Sequence, residues 1–298
     1  MSGSTWNDFG PQGNNVTDAN GSDPNVTTGK LINFNPTIYY DGNDIHRAPS
    51  TAGVFTDYSI MGVAQMEGSD NDYVFSSSVG GTRAMGYNGD DEDEMYLEGW
   101  LHISNKTVTT DLKMYSFEKN TSTNLYDFKG NGSLIKSGSI NNNNEWRLTI
   151  GGKSTTLHSK VYVPEAIVFN KDLSATELLR VETYLAIKYG FTLPGNYVDP
   201  LDNVIWDQTA NAVYHNDVAV IGRDDYSALN QKQSKSENDD AVLTIGLGMI
   251  ASDNGSNSNS FSSNHNYLAW GNNNGDNRFT SVGAPNGGAS YKLFERQW

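Results

Sequence analysis

The chain has 298 residues, with 20 lysines and arginines against 35 aspartates and glutamates, a formal charge of −15 and no cysteine. This balance argues against a nucleic-acid partner, whose phosphates need a basic footprint, and against an anionic membrane surface. The missing cysteines exclude disulfides, thiolate metal sites and cysteine nucleophiles, and no run approaches the ~20 apolar residues of a membrane-inserting helix.

Turn-forming Asn, Gly, Ser, Thr and Asp recur between short apolar runs, the pattern of a chain with many strands. Residues 1–8 lack the basic start and apolar core of a signal peptide, so any export signal is expected upstream. Residues 6–36 read as loop. Thr37-Ile-Tyr-Tyr40 reads as a short strand, ended by a turn at Asp41-Gly-Asn-Asp44. Strands are expected over 55–66, 73–75, 82–87 and 95–103, with an acidic loop at 89–94. A hairpin follows over 112–117 and 125–128. Glu145-Trp-Arg-Leu-Thr-Ile150 alternates most cleanly: Trp146, Leu148 and Ile150 share a buried face, and Glu145, Arg147 and Thr149 a wet one. A strand over 161–169 is interrupted by Pro164, an edge or bulge signal.

Residues 166–169 then pass through a turn into the one well-marked helix. Ser174 and Glu177 form a capping box. Leu178, Val181, Tyr184 and Leu185 make an apolar stripe, and Gly190 stands where a left-handed C-terminal cap is wanted. Pro194, Gly195 and Pro200 mark a domain boundary. The expected organisation is therefore 1–193, a β-sandwich on which the helix packs, and 194–298, a smaller β-unit. Its short strands fall near 203–206, 213–214, 218–222, 241–247, 267–270 and 291–294, with an exposed loop over 253–264. Because residue 298 falls in an expected strand, the second unit reads as cut short.

The segment from Glu165 to Gly190, with Leu173-Ser-Ala-Thr-Glu177 and Val181-Glu-Thr-Tyr-Leu-Ala-Ile-Lys-Tyr-Gly190, resembles the closing segment of laminin-G-like, concanavalin-A-like domains of Bacteroidetes-type surface proteins. Trp6-Asn-Asp-Phe-Gly-Pro-Gln-Gly-Asn-Asn15 resembles their early Trp-x-Asp-x-Ser-Gly-x-Gly-Asn motif. Pro36-Thr-Ile-Tyr-Tyr-Asp-Gly-Asn-Asp44 resembles the Phe-Asp-Gly-x-Asp strand end that follows it. The resemblance covers residues 6–193 and implies an all-β jelly roll with one peripheral helix. The chain departs from it in having almost nothing before Trp6, where such domains carry a strand. Val204-Ile-Trp206, Tyr214-His-Asn-Asp217, Ile221-Gly-Arg-Asp-Asp225, Leu229-Asn-Gln-Lys-Gln-Ser-Lys235 and Tyr267-Leu-Ala-Trp-Gly271 resemble an uncharacterised β-domain. It follows such modules in multidomain adhesins and type IX secretion cargo, which implies further domains in a larger parent chain.

Three places invite chemistry. Asp41, Asn43 and Asp44 set two carboxylates and an amide on one turn, the kind of loop from which calcium draws its ~6–8 oxygens; the resemblance adds Asp8 and Asn14. The alternative is an ordinary Asx turn. Tyr39, Tyr40, Tyr87, Tyr96 and Trp100, with Asn88 and Asp44, have the aromatic and amide character of a glycan site, although a strand aromatic more often belongs to a core. In Asp90-Asp-Glu-Asp-Glu94 the usual meaning is a solvated loop. The enzymatic alternative puts Glu92, Glu94 and Glu98 on one strand face, with positions two apart separated by ~6.6 Å, inside the roughly 5–9.5 Å of glycosidase acid pairs. Asp93 and Met95 break the apolar alternation such enzymes show.

The histidines, His46, His102, His158, His215 and His265, have no metal-ligand spacing. The serines form no Gly-x-Ser-x-Gly elbow, and Gly151-Gly-Lys-Ser154 lacks the upstream glycine of a phosphate loop. Arg223 in Gly222-Arg-Asp-Asp225 suits a structural ion pair; Lys232 or Lys235 could form an intramolecular isopeptide, though no spacing demands one.

The expectation is a non-enzymatic adhesin fragment, extracellular at a bacterial surface or secreted, whose jelly roll binds a glycan or cell-surface protein with possible calcium assistance. The alternatives are a structural spacer and a polysaccharide-degrading hydrolase.

Overall fold

Period-two patterning governs the first half of the chain. The computed structural model describes residues 4–67, 73–77, 79, 83–88, 92–97, 100–101, 110–139, 146–154, 157–282 and 291–298. Two compact units emerge, Met1–Ala175 and Thr176–Trp298.

In the first unit the strands are β1 (Thr5–Trp6), β2 (Val16–Asp18), β3 (Asn25–Ile32), β4 (Asn35–Asp41), β5 (His46–Arg47), β6 (Tyr58–Met66), β7 (Tyr73–Ser77), β8 (Arg83–Asn88) and β9 (Glu92–Leu97). They continue with β10 (Trp100–Leu101), β11 (Leu112–Asn120), β12 (Leu125–Gly130), β13 (Ser133–Ser139), β14 (Leu148–Ile150), β15 (Gly152–Ser154), β16 (Leu157–His158) and β17 (Lys160–Phe169). Among the described residues two large antiparallel sheets result, ordered β1-β2-β5-β14-β7-β8-β9-β10 and β13-β12-β11-β6-β17-β4-β3, with β15 and β16 as a separate pair. This is a layered, jelly-roll-like β-sandwich, as the family resemblance implied.

Alternation decides what lies between the layers. From the seven-stranded sheet, Ile38 and Tyr40, Tyr58, Ile60 and Ala64, Tyr115 and Phe117, Phe128, and Val161 and Val163 enter one cluster; Val74, Phe75, Met85 and Ile150 enter it from the other sheet, and Trp146 from an isolated bridge to Phe55. Gly62 on β6 makes the closest approach possible: a Cβ there would lie 2.3 Å from Cζ of Phe75, so only a bare backbone lets that ring seat. The expected wet face over 145–150 differs in part. Thr149 is fully buried, because β14 is flanked by β5 and β7 and is not an edge; Glu145 lies outside the described residues. The predicted hairpin forms as β11–β12 and gains β13, whose polar Ser-Leu-Ile-Lys-Ser-Gly-Ser composition hid it.

One group on the outer face of the seven-stranded sheet is costly. Glu118 is 6% exposed and stands in register with Asp127 and Ser59. Burial pushes its carboxyl up to about 7, against the pull of Lys129, whose Nζ is 3.7 Å from Oε2. A folded pKa above the ordinary 4.5 means that the native state keeps this proton longer than the unfolded chain. Stability from this group is therefore full below pH 4.5 and lost as pH rises towards 7. Glu118→Gln is expected to flatten that fall and to stabilise the unit at alkaline pH by roughly 2–4 kcal/mol, measured by urea unfolding of both proteins across this range.

All but the first residue of α1 (Ala175–Tyr189) belongs to the second unit; the helix starts directly after Ser174 and carries Glu177 in its first turn. Gly190, at φ 78°, ends it: the N–H groups of Gly190 and Phe191 both reach the carbonyl of Ala186, at 2.8 and 3.1 Å. The apolar stripe is broader than expected. Leu178 and Leu185 are buried, but so are Glu182, Thr183, Ala186 and Ile187, whereas Val181 and Tyr184 are only half-buried.

The division between units falls between Ala175 and Thr176, at the first residue of this helix, whereas the sequence reading put it after Leu193 and assigned the helix to the first unit. Within the second unit, Thr183 Oγ1 accepts from the Val198 N–H at 3.2 Å. The Pro194–Gly195 stretch is no linker: Tyr197 Oη donates to the Phe191 carbonyl at 2.7 Å and accepts from the Leu193 N–H at 2.9 Å, and all three residues are buried.

Among the described residues nine short strands follow α1: β18 (Tyr197–Val198), β19 (Val204–Trp206), β20 (Asn216–Asp224), β21 (Leu229–Gln231), β22 (Gln233–Lys235), β23 (Thr244–Gly246), β24 (Asn266–Asn272), β25 (Phe279–Val282) and β26 (Tyr291–Phe294). They form the three-stranded sheet β21-β20-β24 and three separate pairs. The apolar cluster is small, centred on Ala219, Ile221 and Trp270, and buried polar networks supplement it. Arg296, 4% exposed, donates to Asp217 Oδ2 at 3.0 Å, to Asp240 Oδ2 at 2.6 Å and to the carbonyls of Asp240 and Gly275. Asn238 and Asn272 complete the shell of Asp217. Arg296→Ala strips a buried carboxylate of its cation and is expected to destabilise this unit by about 3–5 kcal/mol, read as an earlier denaturant midpoint for its tryptophan fluorescence.

Candidate functional site: an aromatic pair on the outer sheet face

The chain rule that sends Tyr40 inward sends Tyr39 outward. Tyr39 on β4 stands directly opposite Tyr162 on β17, and Tyr162 in turn opposite Gln65 on β6. The two phenol rings stack at 4.6 Å between centroids with a 28° interplanar angle. Both rings are half-buried, as expected of side chains that lean on each other above a sheet.

Glu67, just past the end of β6, fixes the pair. Its carboxylate accepts from Tyr39 Oη at 2.7 Å and also from the Tyr162 hydroxyl. Those two bonds hold the Glu67 carboxyl below its usual range, with Lys30 and Lys160 adding attraction. The bond to Glu67, and then burial, push the Tyr39 phenol up to about 12. Lys30 Nζ sits 4.4 Å from the Tyr162 ring centroid, a cation–π contact. The result is a pre-set aromatic surface with a carboxylate and two lysines at its margin.

Of the sequence-predicted residues, Tyr39 alone is placed here by its side chain. Tyr40 is corrected to a core residue: it is fully buried and bonded to His46 Nδ1 at 2.7 Å, because its strand position faces the opposing sheet. Tyr87 and Asn88 end β8, while Tyr96 on β9 pairs in register with Ala84 and with Trp100; their side chains lie outside the described residues. So do those of Glu92 and Glu94, and Glu98 lies wholly outside. Tyr162, Glu67, Lys30 and Lys160 were missed. The alternation Val161-Tyr162-Val163 contained the signal for Tyr162, but the register that sets it beside Tyr39 is not local information.

The proposed calcium residues fall into two local arrangements. Asp8 closes its own loop, accepting from the Gly10 N–H at 2.6 Å and the Asn14 N–H at 2.7 Å. Asp41 Oδ1 accepts from the Asn43 N–H at 3.2 Å, and Asp44 Oδ2 from the Asp41 N–H at 3.0 Å. Asp44 is buried, and burial, followed by the charges of Asp41 and Asp18, raises its pKa despite the Asp41 N–H. Among the described residues no group of three or more acids and histidines could hold a metal ion. Asp41, Asn43 and Asp44 therefore fit calcium only if backbone and water oxygens supply most of its shell.

The other singled-out residues take structural partners. His215 accepts from Trp206 Nε1 at 2.9 Å and faces the Leu193 carbonyl at 2.9 Å. Arg223 forks onto Asp225 at 2.7 and 2.9 Å. Lys232 Nζ donates to the backbone carbonyl of Asn257, and Lys235 Nζ lies 3.7 Å from Glu237.

Comparison with known proteins adds little chemistry. Residues 177–298 match the model of a domain of unknown function, DUF8202. No curated protein sequence matches the chain. Among solved structures, a Trypanosoma rangeli sialidase in complex with sialic acid aligns with TM-score 0.46 and 12% identity over 61% of this chain and 31% of that one. The ligand binding domain of botulinum neurotoxin serotype D, in complex with N-acetylneuraminic acid, aligns with TM-score 0.42 and 13% identity over 58% and 47%. The chain thus spans about 31% of the sialidase's length, and likenesses of this size transfer no site.

Glu67→Ala is expected to return Tyr39 from about 12 towards its ordinary 10. An alkaline titration followed by NMR of ring-labelled tyrosine, with Tyr39→Phe as the assignment control, reads this directly.

Proposed function

We propose that this chain is part of a non-enzymatic adhesin, exported to a bacterial surface or secreted, whose β-sandwich holds a glycan on its outer face. The observation that supports the reading is the solvent-facing Tyr39–Tyr162 pair. Its rings are locked by Glu67 before any ligand arrives, so little side-chain entropy is lost on binding. A sugar ring stacks its C–H face on such a surface, while Lys160 at its margin offers a donor to its hydroxyls. Both phenol hydroxyls are committed to Glu67 and each ring turns a face to the other, with Lys30 over Tyr162, so attachment falls to the ring surface this stack leaves open. Calcium at the Asp41–Asp44 turn would neutralise the buried Asp44 and stiffen the neighbouring end of β4.

A glycan array probed with and without calcium tests the reading. The expected result is binding of at least one glycan class, lost in Tyr39→Ala and Tyr162→Ala with folding retained. Calcium is expected to raise the Tm of the native protein and not that of Asp44→Asn. No bound glycan, or release of reducing ends from a bound polysaccharide, contradicts the reading.

A further inference from the structure

On the outer face of the eight-stranded sheet, one row of side chains crosses four strands. Thr17 on β2 stands opposite Arg47 on β5, Arg47 opposite Thr149 on β14, and Thr149 opposite Ser76 on β7. Residues directly opposite one another share a face, and successive residues alternate. The next row, Asp18, His46, Ile150 and Phe75, sends Ile150 and Phe75 into the apolar cluster and His46 to the Tyr40 hydroxyl. The Thr17–Arg47–Thr149–Ser76 row therefore looks away from the core. It deepens across the sheet: Thr17 is exposed, Arg47 half-buried, and Thr149 and Ser76 fully buried.

Two neighbouring polar atoms of this row have nothing to bond. Arg47 Nε and Thr149 Oγ1 are both buried, and neither has a hydrogen-bond partner. Folded proteins rarely leave such atoms orphaned, and two on directly opposed residues mark a place that an outside group completes. Among the described residues no carboxylate pairs with Arg47. The acid next along β2, Asp18, lies in the neighbouring row and gives its oxygens to the N–H groups of Asn20 and Gly21. With 35 acids to 20 bases in the chain, a half-buried arginine that has taken none of them is set apart. Ser76 Oγ, by contrast, donates to the Gly152 carbonyl at 2.6 Å.

We infer that this row receives the carboxylate of an acidic sugar, gripped by the Arg47 guanidinium and bonded by the Thr149 hydroxyl, with Thr17 at the rim for a ring hydroxyl. A guanidinium is a planar fork that meets a carboxylate with two parallel bonds. The Arg47 side chain makes no internal hydrogen bond that turning towards a ligand would break, and that turn opens Thr149 Oγ1 to the same oxyanion. Threonine hydroxyls both donate and accept, as sugar hydroxyls do. Neighbouring strands lie ~4.8 Å apart, so Thr17 and Thr149 bracket Arg47 within the span of one sugar ring. An acidic peptide fits less well. β5 lies between β2 and β14, and β14 between β5 and β7, so no free strand edge offers main-chain pairing here. The row also has no exposed apolar side chain for a peptide's flanking residues to cover. The site is separate from the Tyr39–Tyr162 pair, which belongs to the other sheet, and does not rest on it.

The test uses the full chain and amide NMR, titrated separately with methyl glucuronide, methyl glucoside, N-acetyl-glutamate amide and sodium sulfate. Saturable shifts at Thr17, Arg47 and Thr149 are expected for the glucuronide, with a dissociation constant near ~1 mM, weakening as salt is added. The other three probes are expected to bind there at least roughly tenfold more weakly. Arg47→Lys keeps the charge but loses the fork and is expected to weaken glucuronide binding roughly tenfold. Thr149→Val keeps the shape and removes the orphaned hydroxyl, so it is expected to weaken binding about threefold or more without lowering the Tm. Tyr39→Ala is expected to leave these shifts unchanged, which separates this site from the aromatic pair. No shift with the glucuronide, equal shifts from the glucoside, glutamate or sulfate, or native-like binding by Arg47→Lys would each overturn the inference.

Discussion

Phase is the constraint on which the first unit depends. Phase means which side chains of the seven-stranded sheet face inward, and it is locked where Phe75 rests on the bare backbone of Gly62. A slip of one residue in a strand exchanges that strand's faces. In β4 it would expose Ile38 and Tyr40 and bury Tyr39; in β17 it would expose Val161 and Val163 and bury Tyr162. The cost would be large, since each lost core side chain forfeits about 1.5–3 kcal/mol. Core packing and the outer aromatic pair are therefore two consequences of one register, with the pair's geometry inherited from the core.

The second unit is held by a different means. Its apolar cluster is small, and specificity comes from buried polar groups. Gln233, fully buried, exchanges two hydrogen bonds with the backbone of Ala251, at 2.7 and 2.9 Å. Asn257 donates to Met249 at 2.9 Å, and Asp217 is saturated by Arg296, Asn238 and Asn272. Such networks stabilise only when complete, and they tolerate few alternative packings. Aspartate-centred turns recur in this unit, at Asp199, Asp207, Asp224 and Asp253. They keep exposed loops ordered without disulfides.

Much of the first unit was legible because apolar alternation is a local signal. Thr37-Ile-Tyr-Tyr40 and residues 161–169 read as strands, and the helix read cleanly from its cap, stripe and terminal glycine. Four things were not legible, each because it depends on distant residues. Tyr39 and Tyr40 are adjacent aromatics, and only the opposing sheet decides which is core. Tyr162 becomes part of a site only through its register with Tyr39. The helix belongs to the second unit because Thr183 and Gly190 bond Val198 and Glu237, although the Pro194–Gly195 signal pointed to a boundary beyond it. A cleft around Tyr267 joins residues from 199 to 267, and Asn and Asp are so frequent in this chain that its polar lining reads as ordinary turns.

The absence of cysteine makes the register directly measurable. Single cysteines at positions 38, 39, 40, 161, 162 and 163, labelled with a small thiol reagent under native conditions, read which faces are open. The account predicts rapid labelling at 39 and 162 and strong protection at 38, 40, 161 and 163. Comparable rates at all six positions, or protection at 39 and 162 with labelling at their neighbours, would contradict it.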